Sequence, residues 1–437
     1  MSGEQSRSFS CVLGVVDNGA NLFVRDSGSR RGLPEVRLSK EDASDPEVVR
    51  ATVRNALGLE VVVLLCEPAG GGADDGYAAV CEVLGSPSTL PPGREWGPLP
   101  DAPGDPGIAL IAAWAGGDHL RPVWTQTGWF QHACGWAEEQ LSALGIEVAA
   151  APEQVRTWSL SSVLRVPTNR GDYYLKAVPP YLAREGPVTR LLAAMAPRSI
   201  PSIVAAADGQ GIMLFADMGG RPASADRPAT RIAAAACIGE LQAASVPMVD
   251  DLLRAGAQDR RPEVVLRSLD ELLEIPPPLM RDSPRSLGEL GAIRNDLAAL
   301  ARELVHLDVP TTLVHGDLHL GNVQLTDVGD VVIYDWTDAS VGCPLFDLVT
   351  LLRKEAESAT TALMLETYFA QFGLEGEPGR AYAVSRPLAA LNQLVSYAHL
   401  TAGDDPSLLT SMGIAVPRYL EETIRLTRTA SSRGVRV

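Results

Sequence analysis

Apolar residues alternate in short runs at the front of the chain and shift to helical spacing over most of its second half. From Phe9 the stretch CVLGVVDNGANLFVRD sets two β-branched runs around Asp17-Asn18-Gly19, which predicts a hairpin because Asn and Gly tolerate positive φ. After Leu33-Pro34, DPEVVRATVRNALGLEVVVLL predicts an N-capped helix that stops near Gly58, then a buried strand over Glu60–Leu65. Between Gly85 and Gly117 Pro and Gly crowd the chain and no period survives, so this stretch reads as loop. TGWFQHACGWAEEQLSALGI returns to helical spacing and ends on Gly145, which predicts a connecting helix and a domain boundary near Ala149–Pro152.

Beyond that boundary, WSLSSVLRVPTNRGDYYLKAV predicts two strands joined by Asn169-Arg170-Gly171, with Lys176 on the return strand. A helix over Glu185–Ala194 follows, then strands ending in GIMLFADMGG. From Thr230 onward Ala- and Leu-rich helix dominates, interrupted by one hairpin-like segment around Val323–Asp335. No internal repeat is present, and the terminal Ser-Ser-Arg-Gly-Val-Arg-Val reads as a frayed tail.

At 437 residues the chain is too long for one ordinary core, and two domains are expected. Apolar residues make up 46% and charged residues 21%, the profile of a folded chain and not of a disordered one. The formal charge of −17 counts against nucleic acid and anionic membrane surfaces as partners, because both need clustered Lys and Arg. An acidic surface favours a cationic small substrate, although net charge mostly reports solubility. The six cysteines (Cys11, Cys66, Cys81, Cys134, Cys237 and Cys343) show no metal-ligand spacing and read as reduced thiols of a cytoplasmic protein. Met1 to Ser10 lacks an apolar core, and no apolar run reaches the ~18 residues of a membrane span, so secretion and membrane insertion are both disfavoured.

The most informative stretch is LVHGDLHLGNVQLTDVGDVVIYDWTDASVGCPLFDL, Leu313 to Leu348. It contains His315-x-Asp317 followed by Asn322, a strand pair, Asp335 at the end of the apolar run VVIYD, and Gly342-x-Pro344-x-x-Asp347. Phosphoryl transfer to an alcohol needs a carboxylate beside the attacking hydroxyl and oxygen ligands that hold Mg²⁺ against the nucleotide phosphates. Asp317 can supply the first, and Asn322 with Asp335 the second. His315 is read as a structural residue under the loop that bonds backbone groups, and the role of His319 is open. Each piece alone has an ordinary reading as a turn residue or a cap; the ordered combination carries the chemistry.

These residues resemble the aminoglycoside phosphotransferase and choline kinase family, with its HGDxHxGN loop and I-D-W or I-D-F strand end, from about Arg156 to the C-terminus. The resemblance implies an α+β, two-lobed protein-kinase-like fold, with a small β-rich N-lobe over 151–221 and a helical C-lobe over 222–437. It implies ATP, or GTP in its place, with Mg²⁺ and a small-molecule hydroxyl acceptor. Asp317 becomes the catalytic base, Asn322 and Asp335 the metal ligands, and Asp347 a buried acid supporting the loop. Lys176 would pair with the α- and β-phosphates and Glu185 would hold it, while backbone groups of Phe215–Asp217 in a hinge over Met213–Gly220 would read the base. The turn near Ser159–Ser162 stands where the phosphates are covered, but lacks the G-x-G-x-x-G of protein kinases. For the acceptor pocket, position alone suggests Asp338, Tyr397, His399 and the pair Asp404-Asp405.

The front, 1–120, resembles a Nudix domain of α/β/α type, with 121–150 as a connecting helix. Alignment on Gly58 puts Ala51 at the arginine of the Nudix box, and Thr52, Asn55 and Ala56 at its three metal-holding glutamates, so such a domain would not hydrolyse diphosphates. The whole chain therefore reads as a small-molecule kinase. A catalytically silent nucleotide-binding pseudokinase is the alternative.

Overall fold

The computed structural model describes residues 8–17, 22–69, 76–85, 89–101, 104–117, 121–223, 228–352, 359–372, 378–402, 409 and 412–432. The turn residues Asn18 and Gly19, the pair Asp404-Asp405 and the tail 433–437 lie outside the described residues. The architecture mixes helix and sheet, with the larger sheets in the N-terminal part. Two compact units divide the chain, one of 1–180, 205–217 and 405–410, the other of 181–204, 218–404 and 411–437.

In the first unit, β1 (Ser8–Val16), β2 (Phe23–Asp26), β3 (Glu35–Ser39), β4 (Val61–Pro68), β5 (Tyr77–Val83) and β6 (Arg94–Gly97) form a mixed sheet in the order β4-β5-β1-β2-β6, with β3 also on β1. Between β3 and β4 lies the expected helix, Pro46–Leu57. Asp45 accepts the N–H groups of Glu47 and Val48, Pro46 takes the first helical position, and Gly58 ends the helix at φ 66. Val49, Val53 and Leu57 lie on one face and bury in a core with Leu13, Val63 and Cys81.

The stretch 85–117 is not simply loop, for it contains β6 and the helix Pro106–Ala115. Asp105-Pro106 reads as a turn but acts as a helix start, because Asp105 accepts the N–H of Ile108 and proline fits the first position. Contact with β1 then holds the helix. A Cβ on Gly14 would stand 2.9 Å from Ile111 Cγ2, and one on Gly107 3.0 Å from Val12 Cγ2, so two glycines let the helix approach the strand. Periodicity cannot report that approach.

A second sheet is built from β7 (Glu153–Thr157), β8 (Ser162–Thr168), β9 (Gly171–Ala177), β10 (Ile203–Ala207) and β11 (Ile212–Ala216), in the order β10-β11-β9-β8-β7. The Asn169-Arg170-Gly171 turn joins β8 to β9 as expected, with Gly171 at φ 103. Residues 158–161 form the turn between β7 and β8, where the Trp158 N–H donates to Ser161 O at 3.0 Å and Trp158 Nε1 to Ser161 Oγ at 2.8 Å. β4 is an edge strand, and buried Gln154 on β7 closes that edge. Its Nε2 donates to Val63 O at 2.9 Å and its Oε1 accepts the Val63 N–H at 2.8 Å. Trp124 Nε1 donates to Trp158 O at 2.9 Å. The expected boundary at 149–152 thus falls inside the first unit.

The second unit is mostly helical. Its short strands are β12 (Arg221–Pro222), β13 (Gln258–Arg260), β14 (Thr312–Val314), β15 (Val323–Leu325), β16 (Val331–Ile333) and β17 (Ser340–Gly342), in two three-stranded sheets ordered β12-β15-β16 and β13-β17-β14. β15 and β16 are the expected hairpin-like segment; the β13-β17-β14 sheet has strands too short to show alternation. One helical stretch, Pro228–Arg254, is long and apolar enough by length and composition to cross a membrane, contrary to the expectation that no run reaches that measure. Ala234, Ala235, Ile238 and Leu241 of this stretch belong to the core of the second unit, which accounts for their apolar character. All six cysteines are free thiols.

Replacing Gln154 by Leu should leave both Val63 backbone groups buried and unpaired, at a cost of about 1–3 kcal/mol for each group. Urea unfolding followed by tryptophan fluorescence would show the loss, and an unchanged midpoint would mean that Gln154 does not close the edge.

Candidate functional site

The site begins where β14 ends. His315 and Gly316 turn away from the strand, and Asp347, at the start of the helix Leu345–Leu352, accepts both of their N–H groups, at 2.6 and 2.9 Å. Gln242 Nε2 donates to the same carboxylate at 2.9 Å, and Gln242 Oε1 accepts the Tyr368 hydroxyl at 2.6 Å. Asp347, Gln242 and Tyr368 are fully buried, so this is a satisfied polar network inside the core. Gly316 sits at φ 90, and a Cβ there would stand 2.6 Å from Asp338 O, so only glycine fits.

His315 takes the structural place expected of it. The Asp317 N–H donates to His315 Nδ1 at 3.3 Å, which leaves the ring proton on Nε2, where it donates to Tyr334 O at 2.9 Å. The ring lies 4.6 Å from that of Trp336, and both side chains are fully buried. This imidazole therefore ties the loop to the end of β16 and is shielded from solvent.

From there the loop folds back on itself. Asn322, 7% exposed, donates through Nδ2 to Asp317 O at 3.0 Å, and its own carbonyl accepts the Tyr334 N–H at 3.1 Å. Val323 pairs with Ile333, so Asn322 and Asp335 flank one end of the hairpin. Asp335 is left-handed at φ 68, an uncommon conformation outside glycine that costs on the order of 1 kcal/mol or more, and Thr337 Oγ1 donates to its Oδ1 at 2.8 Å. His319 Nδ1 accepts the Gly321 N–H at 2.9 Å, and its Nε2 lies 3.6 Å from Asp317 Oδ2.

Acidic charges crowd this part of the second unit. Asp338 is pushed up to about 6 by the protein around it and then by the Asp317 and Asp335 carboxylates, with Arg184 and Arg260 pulling the other way. The Asp338 side chain is itself open to solvent, so the two neighbouring carboxylates, more than burial, account for the rise. Asp317, Asn322 and Asp335 thus come together in the second unit. Among the described residues no group of three or more His, Cys, Asp or Glu is placed to hold a metal on its own.

The remaining expected residues are placed as follows. Lys176 lies on β9, in register with Val163 on β8 and Met213 on β11, in the first unit. Phe215 pairs with Tyr174, and the exposed Asp217 donates its N–H to Asp172 O at 3.3 Å, also in the first unit. Glu185 opens the helix Glu185–Met195 in the second unit and is 1% exposed. Tyr397 stacks on Tyr419 with centroids 5.4 Å apart, and His399 is pulled down by desolvation and then by the Arg260 charge. Sequence reasoning missed Gln242, Arg184 and Arg260. Only Gln242 left a signal, a lone amide on the apolar face of an Ala-rich helix.

Residues 154–388, more than half of the chain, match the phosphotransferase enzyme family, and the chain belongs to it. Solved structures with a similar fold include a macrolide 2'-phosphotransferase from Brachybacterium faecium, 20% identical over 65% of this chain and 98% of that one, with a TM-score of 0.46. A choline/ethanolamine kinase family protein from Mesorhizobium loti is 18% identical over 68% of this chain and 99% of that one, TM-score 0.45. An ethanolamine kinase from Plasmodium vivax is 11% identical over 67% and 85%, TM-score 0.49. A comparison with curated proteins finds no match.

Burial pushes the Asp347 carboxyl up to about 7, against the lowering effect of the His315, Gly316 and Gln242 donors. An unfolded Asp titrates near about 3.9, so between that pH and about 7 the native state keeps a proton that the unfolded state has released. Stability from this group is greatest at low pH and is lost as pH rises through that window. The unfolding free energy of wild type minus that of Asp347→Asn should therefore shrink between about pH 4.5 and 7.5. A constant difference across that range would rule out the raised value.

Proposed function

We propose that the chain moves the γ-phosphoryl group of ATP, or of GTP in its place, to a hydroxyl of a small polar molecule. The observation that carries this reading is the convergence of Asp317, Asn322 and Asp335 on one loop and hairpin end, anchored from beneath by Asp347. The acceptor oxygen forms a bond to the γ-phosphorus as the bond to the β–γ bridging oxygen breaks, and Asp317 takes the hydroxyl proton. The nucleoside diphosphate leaves with the bridging oxygen.

The residues fit a hard cation bound together with phosphates. Asn322 commits Nδ2 to the Asp317 carbonyl, and among the described residues its Oδ1 accepts no protein hydrogen bond, which keeps that oxygen for a ligand. Asn322 and Asp335 would hold Mg²⁺, leaving its other positions to phosphate oxygens and water. When bound, the ion would neutralise the phosphate charge that develops during transfer. On the nucleotide side we assign Lys176 to the α- and β-phosphates, Glu185 to holding it, and the backbone of Phe215–Asp217 to the base. The front of the first unit is read as a Nudix-like module without hydrolytic carboxylates, for Thr52, Asn55 and Ala56 lie on the helix Pro46–Leu57 where the three metal-holding glutamates would stand, and Ala51 where the arginine would.

Turnover of MgATP and MgGTP should be measured over amino alcohols, aminoglycosides, sugars and hydroxy acids. Asp317→Asn should lower kcat by about 10²–10⁴-fold on any accepted substrate, while thermal stabilisation by the magnesium nucleotide persists. Turnover unaffected by Asp317→Asn would reject this base. Stabilisation by the magnesium nucleotide without turnover on any acceptor would instead identify a silent nucleotide-binding module.

A further inference from the structure

Arg260, on β13, is 7% exposed. Its Nε and Nη2 both donate to Gln258 Oε1, at 3.0 and 2.8 Å, and among the described residues no carboxylate oxygen lies within 4.0 Å of its guanidinium. Arg184, half-buried just ahead of the helix Glu185–Met195, donates through Nη1 to Thr337 O and through Nη2 to Tyr181 O, each at 2.8 Å. It too has no carboxylate oxygen within 4.0 Å among the described residues.

Acids are abundant in this chain, and other arginines find them. Arg261 pairs with Asp259, Arg165 with Glu153 and Asp172, and Arg294 with Asp270. A buried guanidinium without a counter-charge is costly. Burial pushes Arg260 down to about 10, opposed by Asp338 and reinforced by the neighbouring Arg184 charge.

Both arginines are fixed to one short segment. Thr337, which holds Arg184, precedes Asp338; Ala339 follows it, and Ala339 O accepts the Gln258 N–H at 3.1 Å, two residues ahead of Arg260. Asp338 itself closes on Gly316, the residue before Asp317. Asp338, Asp317 and Asp335 lie near these two guanidiniums, yet among the described residues no carboxylate oxygen comes within 4.0 Å of either one, so neither arginine is spent in an ion pair. Guanidinium donors form a planar fork that matches a carboxylate or phosphate.

We infer that Arg184 and Arg260 form an oxyanion subsite beside Asp338 that takes a carboxylate or phosphate carried by the acceptor alcohol. The word acceptor rests on the phosphotransferase reading above; the oxyanion subsite does not. The acceptor is then an acidic alcohol, the opposite of the cationic substrate that net charge suggests.

Four probes on one scaffold test this with the full chain: glycerate, glycerol 3-phosphate, neutral glycerol and the cationic amino diol serinol. Thermal stabilisation is measured without nucleotide, and transfer from MgATP separately. Glycerate or glycerol 3-phosphate should stabilise the wild type saturably where glycerol and serinol do not, and which of the two is stronger separates carboxylate from phosphate. Arg260→Gln should weaken that binding about tenfold or more, Arg260→Lys should restore part of it, and Arg261→Gln, a half-buried neighbour paired with Asp259, should leave it unchanged. In transfer the Arg260→Gln loss should fall on KM for glycerate or glycerol 3-phosphate. Equal effects of all four probes, no effect of any, preference for serinol, or oxyanion binding untouched by Arg260→Gln and Arg184→Gln would each overturn the subsite. Oxyanion stabilisation without any transfer would uphold the subsite and count against the phosphotransferase reading alone.

Discussion

One buried carboxylate governs the geometry of the candidate site. Asp347 accepts two consecutive backbone N–H groups, from His315 and Gly316, and is itself fixed by Gln242 and through it by Tyr368. Two adjacent N–H groups pointing to one acceptor specify a single local backbone conformation, which Gly316 can adopt at φ 90 and other residues cannot without strain. Burying such an acid is costly, and its retention makes sense when the conformation it imposes is needed. Here that conformation places Asp317 one residue beyond the anchor, with its direction set by a backbone that cannot relax.

A second tether comes from the opposite side. His315 donates to Tyr334 O, Asn322 accepts from the Tyr334 N–H, and the Tyr334 hydroxyl donates to Gly321 O, so one residue at the end of β16 is bonded to the loop at three points. Asp335, the next residue, inherits that position and the uncommon φ that goes with it. The loop and the hairpin end are therefore held as one piece, and the carboxylates of Asp317 and Asp335 both act on Asp338. Their repulsion of Asp338 is sustained by the covalent and hydrogen-bonded frame.

Much of this was legible in the sequence where local rules suffice. The His315-x-Asp317 and Asn322 spacing, the strand end at Asp335, the cap at Asp45 with the stop at Gly58, and the Asn169-Arg170-Gly171 turn all act through neighbours in sequence, and each appears where expected. What stayed hidden depends on contacts between distant segments. The helix Pro106–Ala115 follows a Pro- and Gly-rich stretch and is secured by Gly14 on a strand far ahead of it. The strands β13, β14 and β17 have three residues each, too few to alternate, yet they align Arg260 and the Asp338 segment. Arg184 and Arg260 look like any surface arginine in the sequence, because what distinguishes them is the carboxylates they do not meet.

The first unit repeats the logic of the second with different residues. Its turn 158–161 is closed internally by Trp158 and Ser161, and Trp124 holds the Trp158 carbonyl from outside the second sheet, just as Asp347 holds the His315 and Gly316 N–H groups. Gln154, four residues ahead of Trp158, bonds both backbone groups of Val63 on the edge of the front sheet. The front sheet is therefore joined to the second sheet by the Gln154 amide, and the turn at Trp158 is held separately by the Trp124 indole.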